Sequence, residues 1–190
     1  MKKIKGWVIA LVIAAIVIVW GVGTYNSLVS YDQRTKASYG QIQNQLQRRL
    51  DLIPNLVNTV KGYAAHEKEI MESLANARAN LAGAKTINEQ AAANDEISGA
   101  LSRLLVVVEN YPNLKADANF RQLMDELAGT ENRISIARKD YNEVIQGYNV
   151  KVKRFPTVIF ARLFGFTEKA YFEAATDAQR APIVEFPGGR

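Results

Sequence analysis

The stretch RRLDLIPNLV, residues 48–57, decides the fold, because it places a proline inside an otherwise unbroken helical pattern. In a helix interior, proline lacks the N–H that would bond four residues back, at a cost of about 3 kcal/mol. The chain either kinks there and continues, which the unbroken phase of the apolar pattern favours, or reverses, with Pro54 in the first turn of a new helix. We predict the reversal, because a continuing helix would leave its apolar stripe without a partner in the chain.

Apolar residues recur every three or four positions on both sides of this stretch, which is typical of amphipathic helices. The pattern predicts four long helices, at residues 25–51, 54–82, 87–110 and 117–154. Within it, Thr86-Ile87-Asn88-Glu89 has the spacing of a capping box that begins the third helix. Four such helices bury their apolar faces best in an antiparallel, up-and-down bundle, so we predict an all-α fold.

The sequence before these helices is strongly apolar. Residues 7–23 read WVIALVIAAIVIVWGVG, and no charged residue occurs between Lys5 and Asp32. This run is long enough to cross a bilayer, and Trp20 with bulky aliphatic neighbours occupies the region where a signal peptide carries small residues for cleavage. We therefore predict a retained transmembrane helix at residues 7–23, through which the chain contacts the lipid bilayer.

The predicted organisation has four parts. A short flank, residues 1–6, precedes the transmembrane helix; the helical bundle covers residues 24–166; and a tail, residues 167–190, packs on or beside the bundle. Three lysines lie before the apolar run, and an excess of cations marks the cytoplasmic end of a transmembrane helix. We expect a single-pass protein of the cell membrane with its bundle on the non-cytoplasmic side, the cytoplasmic side being the alternative.

Composition argues against several classes of function. The chain has no cysteine and one histidine, so one subunit cannot build a thiolate site or a two-histidine zinc site. The net charge of +5 includes the three lysines before the apolar run, which leaves no electrostatic footprint for nucleic acid. We expect no enzyme activity, no cofactor and no metal. A hydrolase that uses Glu126 and Glu131 is the least favoured alternative.

The proline stretch also carries candidate functional residues. Arg49 falls on the apolar seam, where its charge must be paired, so we expect an ion pair with Asp51 or with an acid on a neighbouring helix. In the reversing arrangement, residues 48–57 and the stretch YPNLKA, residues 111–116, are loops at the same end of the bundle. The polar residues of these loops are candidates for binding a protein partner or a second copy of the chain: Arg48, Asp51, Asn55, Asn113 and Lys115.

A second candidate surface is FPTVIFARLFGF, residues 155–166, which follows a cluster of cations. Aromatic and apolar residues beside cations suit the bilayer interface, whereas the simpler interpretation is a lid over the end of the bundle. The candidate lipid-interface residues are Phe160, Phe164, Phe166, Lys153 and Arg154.

Several short motifs occur in a characteristic order along the chain. They are Tyr25-Asn26, the stretch at 48–57, His66-Glu67, Ala77-Arg78-Ala79, the stretch at 111–116, Thr130-Glu131-Asn132-Arg133-Ile134, Tyr141-Asn142, Tyr148-Asn149 and Phe155-Pro156. With these motifs the chain resembles the LemA family of bacterial membrane proteins. The resemblance implies an N-terminal transmembrane helix followed by a helical bundle, and it implies no established biochemical activity.

Together these observations favour a non-enzymatic membrane protein. We expect its bundle to act as an adaptor or scaffold at the cell envelope that binds a protein partner or its own copies. The alternative is a lipid-interacting envelope protein that uses residues 155–166.

Overall fold

The computed structural model describes residues 6–173 of the 190-residue chain. Residues 1–5 of the predicted flank and residues 174–190 of the predicted tail lie outside the described residues. Every regular element within residues 6–173 is a helix, so the all-α prediction is confirmed. The six helices are α1 (Gly6–Tyr63), α2 (Lys68–Gly83), α3 (Ile87–Val108), α4 (Pro112–Ala116), α5 (Ala118–Lys153) and α6 (Thr157–Leu163).

Helix α1 contains both the predicted transmembrane segment and the first amphipathic helix. Its first part is long and apolar enough to cross a membrane, and its large apolar side chains from Trp7 to Trp20 are exposed. From Leu28 onward the buried side chains lie on one face of the helix, seven residues apart at Leu28, Thr35 and Ile42 and mostly three or four apart beyond them, as the apolar stripe predicts. The change from all-round exposure to a one-sided stripe occurs without a break in the helix.

The predicted reversal at Pro54 is wrong, because α1 continues through the proline to Tyr63. Pro54 cannot donate to the carbonyl of Leu50, four residues earlier. That carbonyl instead accepts a hydrogen bond from Nε of Arg78 on α2, at 3.0 Å. A guanidinium from another helix thus replaces the donor that proline removes, and the helix can continue.

The actual end of the first long helix lies after Tyr63, where residues 64–67 form the connection to α2. The capping box is confirmed: the Thr86 hydroxyl accepts from the backbone N–H of Glu89 at 3.2 Å, and the Glu89 carboxylate accepts from the N–H of Thr86 at 3.0 Å. The predicted loop at 111–116 is wrong in part, because Pro112 starts the short helix α4 there. Proline suits this position because it lacks an N–H, and the N–H groups of a first helical turn have no partner within the helix.

The described chain falls into two compact units. The first contains the residues up to Ile42 and Ala137–Tyr171, and the second contains Gln43–Ile136 with Phe172 and Glu173. The core of the first unit is formed by Leu28, Tyr148, Val152 and Ala161, with Tyr31 and Phe166 against it. In the second unit the largest fully buried apolar residues are Ile53, Leu56, Leu74, Ile97, Leu104, Leu114, Leu127 and Ile134.

The hydrogen bond from Arg78 to Leu50 yields a test of how α1 tolerates its proline. We expect Arg78→Met to lower the free energy of unfolding by about 1–3 kcal/mol, because it removes a charged donor and leaves a carbonyl unsatisfied. In a Pro54→Ala background the alanine N–H can bond Leu50, so the same change should cost less than about 1 kcal/mol. Denaturant unfolding of the full chain in detergent, followed by circular dichroism, measures both losses.

Arg103→Met is the matched control, because Arg103 makes a comparable hydrogen bond to Ser73, at 2.8 Å, away from the proline. Its effect should be the same in both backgrounds. Equal losses for Arg78→Met with and without Pro54 would show that the two residues are not coupled.

Candidate functional site

Arg49 lies one turn before Pro54 and is the largest fully buried side chain of the described residues, with 1% of its surface exposed. Its guanidinium donates to the Glu131 carboxylate on α5, to the Asn94 side-chain oxygen on α3, and to the Ser98 hydroxyl at 3.0 Å. The predicted ion pair with an acid on a neighbouring helix is therefore confirmed. The other acid considered, Asp51, accepts a hydrogen bond from Gln47 at 2.9 Å.

The electrostatics of this cluster indicate a structural role. Burial lowers the pKa of Arg49, and the negative charge of Glu131 opposes that shift. Arginine nevertheless stays charged in proteins, so the cluster contains a fixed buried cation that needs the charge of Glu131 beside it. Among the described residues, Nε of Arg49 and Nδ2 of Asn94 are buried without a hydrogen-bond partner, so removing the Glu131 charge leaves the buried guanidinium with still fewer partners.

The two carboxylates considered for a hydrolase are each engaged by an arginine. Glu131 pairs with Arg49, and Glu126 pairs with Arg48 at 3.4 Å. Within residues 6–173 no group of three or more histidine, aspartate or glutamate side chains could hold a metal ion.

The five predicted partner-binding residues are all exposed, but they do not occupy two loops as predicted. Arg48, Asp51 and Asn55 lie on the flank of α1, because the helix does not turn at Pro54. Asn113 and Lys115 lie on α4, where Lys115 pairs with Glu109 at 2.6 Å. Their role in binding a partner stays a prediction.

The segment 155–166 packs beside the end of the apolar part of α1. Phe160 lies edge-on to Trp20, with ring centroids 5.1 Å apart, and Phe164 lies edge-on to Tyr25 at 4.9 Å. Phe160 also covers Gly21 so closely that a Cβ there would lie 2.7 Å from its ring. Glycine at position 21 is thus what lets α6 approach α1.

This packing divides the aromatic segment into two faces. Phe160 and Phe166 pack inward, as the lid interpretation expects, and Phe164 is half-exposed. The opposite face exposes Phe155, Ile159 and Leu163, which the prediction did not single out. Ile159 and Leu163 lie four residues apart on α6, a helical spacing that could have identified them, whereas Phe155 precedes the helix.

Residues 167–170 form a strap that crosses α1 and α5 within the first unit. Asn149 bonds the backbone of Lys169 twice, through its amide nitrogen and its oxygen, each at 2.9 Å. Tyr141 donates to the carbonyl of Ala170 at 3.2 Å. The ammonium of Lys169 bonds Asp32, and this contact lowers the pKa of the Asp32 carboxyl. The strap therefore accounts for the charge at position 32, which interrupts the apolar stripe.

The family profile decides the identity of the chain, because the profile of the LemA family matches residues 38–186. The chain belongs to the LemA family. The match covers the second part of α1 and all the other helices, including Arg49, Pro54 and Arg78.

Curated relatives of this LemA family member are distant but cover most of its length. It is 26% identical to magnetosome protein MamQ 2 of Paramagnetospirillum magneticum and 25% identical to MamQ of Magnetospirillum gryphiswaldense, with 84% of this chain and 68% of each relative covered. It is 25% identical to Protein LemA of Metamycoplasma hominis, with 81% of this chain and 71% of that protein covered.

The neighbouring arginines 48 and 49 provide an internally controlled test of the buried cluster. We expect Glu131→Ala to lower the free energy of unfolding by about 3 kcal/mol, because it leaves the buried Arg49 charge with neutral partners alone. Glu126→Ala should cost less than about 1 kcal/mol, because its partner Arg48 is exposed. Chemical denaturation of both full-length variants measures the contrast, and similar losses would contradict a structural role of the Arg49 cluster.

Proposed function

We propose that this chain is a non-enzymatic, single-pass membrane protein whose helical domain serves as an adaptor or scaffold at the cell envelope. The observation that carries the proposal is the continuity of α1, which runs from the apolar segment into the amphipathic helix without a break. A domain joined to its membrane anchor through one helix is held at the bilayer by that helix. Such an arrangement suits a protein that presents a binding surface near the membrane.

We also propose that the long helices form the antiparallel four-helix bundle. The side-chain pairs within the second unit support this arrangement. Arg49 on α1 meets Glu131 on α5, whereas Tyr63, farther along α1, donates to Asp117, just before α5, at 2.9 Å. Increasing residue numbers on one helix thus meet decreasing numbers on the other.

The surface of the second unit supports a role in binding. All five candidate residues are exposed there, and their ion pairs are too exposed to contribute much to stability. Helix α3 also exposes two adjacent apolar side chains, Leu105 and Val106, the latter 72% exposed. We take these two side chains as a further candidate contact for a protein partner.

The relatives support the proposal in general terms. The MamQ proteins are named for the magnetosome, and none of the relatives' names refers to a reaction. The anchor and the lysines before it support a location in the cell membrane with the helical domain on the non-cytoplasmic side.

A cysteine introduced at Asn113 tests this proposal, because the native chain contains no cysteine. In intact cells a membrane-impermeant thiol reagent should label it, and a thiol-reactive crosslinker attached there should form a discrete adduct with a partner or a second copy. We expect Lys115→Ala and Arg48→Ala to reduce the adduct at least about fivefold while thermal stability stays unchanged, because each exposed pair contributes less than about 1 kcal/mol.

Lys139→Ala is the control, because Lys139 is an exposed cation in the first unit, with 75% of its side chain exposed against 57% for Lys115. It should leave the adduct unchanged. Loss of the adduct together with loss of thermal stability would show that Arg48 and Lys115 maintain the fold and do not form a binding surface.

A second function, binding to lipid, is favoured by the outer face of α6. Phe155, Ile159 and Leu163 are exposed beside the end of the apolar run of α1, where Trp20 and Tyr25 contact the same segment. An amphipathic helix with aromatic and basic neighbours suits the bilayer interface. On this proposal α6 lies on the membrane with its outer face in lipid.

An environment-sensitive fluorophore on a cysteine at Ile159 tests the lipid proposal. In vesicles that contain the full chain, its emission should shift to shorter wavelength and become sensitive to quenchers placed in the acyl chains. The same fluorophore at Val106 is the control and should report water. Emission typical of water at both positions would reject contact of α6 with lipid.

A further inference from the structure

A groove of about 790 Å³ runs along the apolar part of α1 in the first unit. Its wall is one face of the helix, because its residues recur every three or four positions. The wall residues are Ala15, Ile16, Val19, Trp20 and Gly23. Neither Ala15 nor Gly23 carries a large side chain, and the space beside Gly23 is open, so an extended hydrocarbon chain can lie along this wall.

The chemistry of the groove changes at one end. There it is lined by the hydroxyl groups of Thr24 and Ser27 on α1, by Thr157 at the start of α6, and by Lys151 near the end of α5. The ammonium of Lys151 bonds the Ser27 hydroxyl and lies 4.8 Å from the centre of the Tyr31 ring. An apolar channel that ends in hydroxyls and a cation complements a ligand with an apolar tail and an anionic head.

The position of this polar end along α1 matches the level of the lipid headgroups in a bilayer. Ser27 lies seven residues beyond Trp20, about 10 Å along the helix at 1.5 Å per residue. Tryptophan prefers the boundary between hydrocarbon and headgroups. In a bilayer spanned by residues 7–23, Lys151 and the hydroxyls therefore lie at the level of the phosphates, and the wall from Ala15 to Trp20 lies at the level of the acyl chains.

We propose that this groove binds one anionic glycerophospholipid. One acyl chain lies along Ala15, Val19 and Gly23, and the phosphate accepts hydrogen bonds from Lys151 and from the hydroxyls of Ser27 and Thr157. The surrounding bilayer supplies phospholipid in excess. An anionic phospholipid is favoured over a neutral one because its net negative charge complements the ammonium of Lys151. The inference rests on the proposed anchoring of the chain in the membrane.

Trp20 lines the groove and is a built-in probe of its occupant. Replacing the other tryptophan, Trp7→Phe, leaves Trp20 as the only source of tryptophan fluorescence. The full chain is placed in phosphatidylcholine vesicles that contain either brominated phosphatidylglycerol or brominated phosphatidylcholine as the quencher. We expect the anionic lipid to associate about fivefold more strongly, because the attraction between one cation near a membrane surface and an anionic lipid corresponds to about that factor.

Two variants test whether the groove itself produces this preference. Lys151→Gln should abolish the preference for phosphatidylglycerol while both lipids still quench. Gly23→Leu should reduce quenching by both brominated lipids, because a side chain at position 23 projects into open space without a clash and fills the groove. Lys36→Gln, at an exposed cation of the first unit that pairs with Asp32, is the matched control and should keep the preference.

The outcomes separate this inference from the proposed anchoring. Quenching by neither lipid would show that Trp20 lies outside the bilayer and would reject the anchor. Equal quenching by both lipids, or a preference that survives Lys151→Gln, would overturn the lipid site while leaving the anchor intact. Loss of the preference in Lys36→Gln as well would assign it to the general surface charge and would also overturn the site.

Discussion

The second unit depends on one backbone carbonyl, that of Leu50. Pro54 removes the donor that would normally satisfy it, and a helix interior with such a gap is expected to kink or end. Arg78 supplies the missing donor from α2, so α1 continues for nine residues beyond the proline. The same contact ties α2 to α1 at a defined level. The carbonyl that Pro54 leaves unpaired in α1 is therefore the site at which α2 is attached.

The buried Arg49 is the residue directly before Leu50 and complements this contact. Its guanidinium joins α1 to Asn94 and Ser98 on α3 and to Glu131 on α5. Apolar stripes alone allow helices to slide by a turn with little cost, whereas a buried charge is satisfied in one register only. Arg49 and Arg78 together relate α1 to α2, α3 and α5 through polar contacts of defined geometry. The polar residues in the seam of α1 thus specify how the second unit packs.

In the first unit, one face of a short segment packs inward and the other face is exposed. Helix α6 turns Phe160 toward Gly21 and Trp20 and leaves Ile159 and Leu163 exposed. The lid and the lipid interpretations of residues 155–166 are therefore compatible, because different faces of α6 serve each. The strap that follows closes the unit through Lys169, which bonds Asp32 on α1. Membership of the LemA family and the continuity of α1 agree with a protein whose helical domain works at the membrane.

The sequence by itself determined the helical class, the apolar segment, the capping box at Thr86 and the end of α5 near Pro156. These features follow from composition, periodicity and hydrogen bonds over a few residues, which sequence patterns record. The passage of α1 through Pro54, the partner of Arg49 and the division of α6 into two faces were decided by the tertiary structure. Each depends on a group brought from a distant part of the chain: Arg78 for the proline, Glu131 for the buried arginine, and Gly21 for α6. A local sequence pattern does not show which distant residue supplies a donor or leaves space for a ring, because only folding brings these residues together.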